Sequence, residues 1–282
     1  MPSSTTIAVV GAGKIGFPLV SALAASNAAI VVLLSRNGLP ADKPLPPGVI
    51  VEKVDYLADT AALEALFKTH QVDAVVSAVA TEVVAKQTVL IDAAKAAGVK
   101  LFIPSEFGMV SDGQAANPKN KIAEYLESVG LPYARVWNGM LTEFLPFFVG
   151  FSEHGKIKIV GKGDTPMSFT SIVDITGFLA YVLTSVPLSD LSNRRILRLQ
   201  GDRATLKSLA PLFNTTVEHA DAITGPMGDL RTFMMRMVDT GVGSTGWDVS
   251  QQKEGEGERA AGSANDLWPG HQWKSIKDVC GL

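Results

Sequence analysis

The 282-residue chain contains one cysteine, Cys280, and four histidines. A single thiol excludes an intrachain disulfide framework and a cysteine-built metal centre. It points to a reducing compartment, with the cytoplasm as the default expectation. His154 and His219 have no partner at metal-ligand spacing, so no metal site is expected. Charge of one sign is also missing: 28 acids stand against 25 bases, a formal net charge of −3. That balance offers no electrostatic footprint to nucleic acid or to an anionic membrane surface, and leaves a small molecule as the expected partner. The longest greasy stretch, residues 19–34, is broken by Ser21, Ser26 and Asn27 and falls short of the ~20 apolar residues a spanning helix needs. Residues 1–6 carry no basic cluster, and Gly11 and Lys14 break the apolar run behind them, so no secretory leader is expected. With 46% hydrophobic and 19% charged residues, the composition excludes a mainly disordered chain.

What is present is an alternation of strand and helix. Residues 7–10, 29–34, 49–54, 74–80, 101–104 and 133–137 read as strands that are apolar on consecutive positions. Such runs fit a parallel sheet covered on both faces. Between them, residues 61–68, 82–97 and 117–129 read as helices, the latter two closed by Gly98 and by Gly130 with Pro132. The expectation is an α/β fold: a Rossmann-type, doubly wound parallel sheet of six strands over residues 1–150. A smaller mixed α/β region follows over residues 151–282, interleaved with the first. In it we expect strands at 156–160, 167–171 and 195–199, a helix capped by Asp174, and an exposed, flexible loop over about 241–267.

Gly11-Ala12-Gly13-Lys14-Ile15-Gly16 satisfies G-x-G-x-x-G. The pattern alone is weak, but here it follows a strand, opens a helix and lies in a βαβ unit, the context that makes it a dinucleotide fingerprint. Gly11 would permit the tight turn, Gly13 the approach of a pyrophosphate, and Gly16 the packing of helix on strand, with Lys14 and Ile15 beside the anion at the helix N-terminus. After the second strand the chain reads Leu34-Ser35-Arg36-Asn37. No carboxylate is there to accept from a ribose 2′-hydroxyl. Arg36 offers a planar fork suited to a 2′-phosphate, so NADP(H) is expected over NAD(H), with Lys43 as a second cation.

The Tyr-x-x-x-Lys pair of standard short-chain dehydrogenases is absent, because the position four before Lys119 is Ala115. Lys119 itself follows an N-cap, Asn117, and a first-position proline, Pro118. In that first turn the helix dipole opposes a cation and favours the neutral amine, a setting for a general acid or base, while the charged form of Lys119 would hold the nicotinamide ribose of the cofactor.

Three stretches together carry a family resemblance: the glycine turn, Leu101-Phe102-Ile103-Pro104-Ser105-Glu106-Phe107-Gly108, and Lys119-x-Lys121 followed by Gly130-Leu131-Pro132-Tyr133. They resemble the isoflavone reductase-like and phenylcoumaran benzylic ether reductase-like group of NmrA-like atypical short-chain dehydrogenases, nearest to its fungal members. The resemblance spans roughly residues 6–212. It implies that Lys119 is the catalytic acid/base and that Arg36 recognises NADPH. It further implies an NADPH-dependent reductase that transfers hydride to a small aromatic, phenylpropanoid-like or quinone-like substrate. The alternative is an NmrA-type regulator that binds NADP(H) as a redox signal without turnover. Ser77, Val79, Ala80 and Ser105, at the carboxyl ends of their strands, would line the cofactor, and Glu106 would reach the same site or only tie down its loop. Phe107, Trp137, Asn138, Met140, Phe144 and Phe169 are candidate pocket walls. A homodimer is left open.

Overall fold

The computed structural model describes residues 5–36, 38, 44–114 and 116–282. The glycine turn separates β1 (Thr5–Val10) from α1 (Gly16–Ser26), after which come β2 (Ala29–Ser35), β3 (Ile50–Lys53), α2 (Thr60–Thr69) and β4 (Ala74–Ser77). α3 (Thr88–Ala97), β5 (Leu101–Ile103), α4 (Pro118–Val129) and β6 (Arg135–Trp137) complete this stretch. β1 to β5 form one parallel sheet in the order β3-β2-β1-β4-β5. The chain therefore winds outward from β1 in one direction and then, from β4, in the other. That reversal places the carboxyl ends of β1 and β4 side by side at the switch point where such sheets bind ligands.

The strands are apolar on consecutive residues because both faces are covered. Ala8, Val10, Val32, Leu34, Val75 and Phe102 share a core with Leu63 and Phe67 of α2, Leu90 and Ile91 of α3, and Ile122 and Leu126 of α4. Their neighbours Ile7, Val9, Leu33, Val76 and Ile103 are equally buried. The helix ends follow the local chemistry: Asp59 accepts from Ala62 N at 2.8 Å to start α2, and Gly98 and Gly130 take left-handed conformations to end α3 and α4.

Five strands, not six, make the sheet. Residues 133–137 reach its edge only at Phe102, whose N–H donates to Pro132 O and whose carbonyl accepts from Ala134 N. β5 stops at Ile103 because Pro104 has no N–H with which to extend the ladder. The helix expected over residues 82–97 is a 3₁₀ segment at Thr81–Gln87 that leads into α3, and the strand expected to reach residue 80 ends at Ser77.

The remaining elements are β7 (Met140–Leu141), α5 (Leu145–Phe148), α6 (Phe151–His154), β8 (Ile157–Ile159), β9 (Met167–Thr170), α7 (Ile172–Ser185), α8 (Leu188–Arg194), β10 (Ile196–Arg198), β11 (Asp202–Ala204), α9 (Leu209–Leu212), β12 (Val217–His219) and α10 (Gly228–Met237). The chain ends with a π-helical turn at Val238–Val242, the hairpin strands β13 (Trp247–Asp248) and β14 (Lys253–Glu254), and α11 (Ile276–Cys280). β6 pairs with β10.

By internal contacts the chain divides into two units. One comprises residues up to 106, 114–136 and 176–197; the other comprises 107–113, 137–175 and 198–282. The second unit has its own core of Leu145, Phe148, Ile157, Ile159, Met167, Phe169, Leu206, Leu209, Phe213, Met235, Val238 and Ile276. There β9 lies between antiparallel β11 and parallel β7, and β8 pairs in parallel with β12.

Two expectations for this unit are corrected. Asp174 lies inside the first turn of α7, where its N–H donates to Ser171 Oγ at 3.0 Å; Asp174's own carboxylate accepts from Lys274 N and pairs with His271. Residues 241–246, assigned to an exposed loop, are buried. Gly241 stands at φ +102 against the Trp247 indole, Gly243 O accepts from Ser168 N, and Thr245 N donates to Ser168 Oγ. Small polar residues here serve close packing, not exposure. Among the described residues no helix is long and apolar enough to cross a membrane.

Candidate functional site

The three glycines of the fingerprint have three different surroundings. Gly11 has φ +99, and a Cβ there would meet Ala78 O at 2.8 Å. A Cβ on Gly16 would meet Gly11 O at 1.9 Å, so helix and turn touch backbone to backbone. A Cβ on Gly13 would meet no protein atom within 4 Å. Gly11 and Gly16 thus serve the fold, while Gly13 keeps the approach to the backbone open, the division of labour a pyrophosphate cradle needs. α1 begins at Ile15 and Gly16 with no side-chain cap and no acid in its first turn, which leaves its positive end to an anion. Lys14 is exposed beside it and Ile15 is buried.

At the end of β2, Ser35 is buried and its hydroxyl donates to Gly38 O at 2.7 Å, which shapes the turn. Arg36 is exposed, and its guanidinium stacks 5.3 Å over the Tyr56 ring. The stack orients the fork without spending its donors. Lys43 lies outside the described residues. At the end of β4, the Ser77 hydroxyl is fully buried and finds no partner among the described residues. Val79 is buried and Ala80 exposed. Ser105 is tied internally: its N–H donates to Gln87 Oε1 at 2.8 Å and its hydroxyl to Val79 O at 2.9 Å, so it braces the strand ends and does not reach outward.

Lys119 sits where capping places it. Asn117 Oδ1 accepts from Lys119 N at 3.1 Å, Pro118 occupies the first turn, and the Lys119 amine donates to the backbone carbonyl of Glu106 at 2.5 Å. Burial pulls its pKa below the ordinary lysine value; the Glu106 carboxylate pulls the other way and Arg135 adds to the lowering. Glu106 does more than tie down its loop. Its carboxylate, in a residue 4% exposed, accepts from Arg135 Nε at 2.6 Å, and Arg135 is itself only 6% exposed. Arg135 Nη2 then donates to Asn120 Oδ1 at 2.9 Å. Arg135 and Asn120 are absent from the residues picked out by sequence. The available signal was weak: a single arginine inside an otherwise apolar strand segment, Tyr133-Ala134-Arg135-Val136-Trp137.

The candidate pocket residues separate into two groups. Trp137 and Phe169 are 1% and 0% exposed, and Met140 is buried in the same core as Phe169, so their surface is spent on packing. Phe107 and Phe144 are half-buried, and Phe107 takes φ +26, a strained value for a bulky residue. Asn138 is fully buried with its amide donating to Gly139 O, and its Oδ1 has no partner among the described residues.

A parallel sheet with a glycine turn at its switch point and a half-buried lysine at the head of α4 defines a Rossmann-type α/β protein. Comparison with known proteins agrees with that class. The chain belongs to the NmrA-like family, whose model matches residues 3–231. Oxidoreductase aprR of Aspergillus flavus is 35% identical over 160 residues, 52% of this chain and 52% of that protein. The probable pinoresinol-lariciresinol reductase 3 of Arabidopsis thaliana is 27% identical over 162 residues, again 52% of each. The chain thus matches about half the length of these curated relatives. Among solved structures, the binary complex of leucoanthocyanidin reductase and NADPH from Vitis vinifera superposes with a TM-score of 0.73 at 20% identity, over 98% of both chains. The NADPH-dependent quinone oxidoreductase QOR2 from Escherichia coli gives 0.70 at 22% identity, over 98% of this chain and 99% of that one. These likenesses establish the fold.

Proposed function

We propose that the protein is an NADPH-dependent reductase of small aromatic, phenylpropanoid-like or quinone-like compounds. The observation that carries this reading is the Lys119 amine: half-buried, lowered in pKa by loss of water, and fixed by one backbone carbonyl at the head of α4. The relatives named for reductions of such compounds, and the superposable reductases with NADPH, support the same assignment. The residues present fit the cofactor. Gly11, Gly13 and Gly16 would form the cradle, Arg36 on its Tyr56 platform would meet the 2′-phosphate, and Ser77 would offer its unsatisfied hydroxyl at the switch point. NADPH would supply the hydride. Lys119, as the ammonium, gives the balancing proton to the reduced acceptor and recovers one from water.

The test follows NADPH absorbance against a panel of phenylpropanoids, flavonoids, quinones and aldehydes, with wild type beside Lys119→Ala. Removal of a positioned proton donor is expected to lower turnover by about 10²–10⁴-fold with NADPH affinity kept. Turnover that survives in Lys119→Ala removes the lysine from the reaction. NADPH binding with no consumption across the panel would instead favour a cofactor-sensing regulator, the reading to which the missing Tyr-x-x-x-Lys pair points.

A further inference from the structure

We propose that the buried Glu106–Arg135 pair positions the Lys119 amine and balances the electric field on it, which makes Arg135 a positioning residue of this site. The inference rests on the reading that Lys119 moves the proton. Four groups close a ring. The Lys119 amine donates to the Glu106 carbonyl, the Glu106 carboxylate accepts from Arg135 Nε, Arg135 Nη2 donates to Asn120 Oδ1, and Asn120 is the chain neighbour of Lys119. The ring joins the end of β5, the start of β6 and the first turn of α4. A backbone carbonyl holds the amine in place only if its own residue is fixed, and the buried ion pair fixes it.

The pair is also electrically opposed. Glu106, beyond β5, favours the ammonium; Arg135, in β6, disfavours it. The two fields oppose one another on the same amine, and burial exceeds each of them. Either partner alone would push one way.

That asymmetry gives a test with a sign. Lys119 is titrated by ¹³Cε NMR in lysine-labelled protein, its resonance identified by loss in Lys119→Arg. Arg135→Met removes the guanidinium beside the carboxylate and is expected to raise the Lys119 pKa by about one unit or more; Glu106→Gln removes the carboxylate's charge and is expected to lower it by a similar amount. The double variant should return toward wild type, and Arg135→Lys should restore most of the value. Shifts of the same sign in the two single variants, or no shift in either, overturn the proposal. If a single variant does not fold, Asn120→Asp at a half-buried position keeps the pair, adds a carboxylate near Arg135 and is expected to raise the Lys119 pKa; an unmoved amine there overturns the proposal as well. NADPH oxidation measured alongside separates the two readings. Opposite shifts without wild-type turnover keep the field balance and remove the reductase. Turnover that needs Lys119, with an unmoved amine, removes the balance alone.

Discussion

Arg36 and Lys119 are both single cations at the ends of regular elements, and their surroundings make them different reagents. Arg36 is exposed, with its guanidinium set over the Tyr56 ring. Lys119 is drawn out of water, and that lowers its pKa. Arg36→Asp is expected to weaken NADPH binding by about tenfold to a hundredfold, the value of one or two charged hydrogen bonds, while NADH affinity holds or improves. Fluorescence titration with both cofactors measures this, and an unchanged NADPH-to-NADH ratio would remove Arg36 from phosphate recognition. The position of Lys119 was legible because N-capping is local: Asn117 and Pro118 announce the first turn of α4. Its partners were not. Glu106 and Arg135 lie 29 residues apart in the chain, and only the fold makes them a pair at 2.6 Å. Removal of one partner from so buried a pair costs about 3–5 kcal/mol, because it leaves the other charge buried.

At the scale of elements, the glycine turn separates binding from folding. Gly16→Ala would drive a methyl into Gly11 O, and is expected to destabilise the protein measurably in thermal or urea unfolding. Gly13→Ala meets nothing within 4 Å and should unfold within about 0.5 kcal/mol of wild type, yet bind NADPH more weakly by isothermal titration. Equal loss of stability in both variants would contradict the assignment of Gly13 to the ligand. The strands β1, β2 and β4 were legible from their unbroken apolar runs, and α3 and α4 from their terminal glycines. The sheet's width was not. Residues 133–137 have the composition of a sixth strand, but Pro104 ends β5 and leaves a single bridge at Phe102. The buried 241–246 segment misled for a related reason: Gly and Ser report turn chemistry, whereas the hydrogen bond of Thr245 to Ser168, 77 residues away, is a long-range event.

For the whole molecule, ligand linkage gives the most direct test of cofactor binding. NADPH at about 100 times its Kd should stabilise the native state by ~2.7 kcal/mol, a rise in Tm of about 5–10 °C. The rise should be much smaller with NADH and should shrink in Arg36→Asp. Equal rises with the two cofactors would show that the 2′-phosphate is not recognised. Sequence alone determined the α/β class, the glycine turn after β1, the absence of a carboxylate beyond β2, and a lysine in the first turn of α4. Each of these is written in neighbouring residues through periodicity, capping or turn chemistry. Tertiary structure alone decided the strand order that sets Gly11 and Ser77 at one switch point. It also decided which segments each of the two units draws on, and the closed ring of Lys119, Glu106, Arg135 and Asn120. Those features depend on which distant segments are buried together, and burial, by removing water from charged and polar groups, is what gives the ring its force.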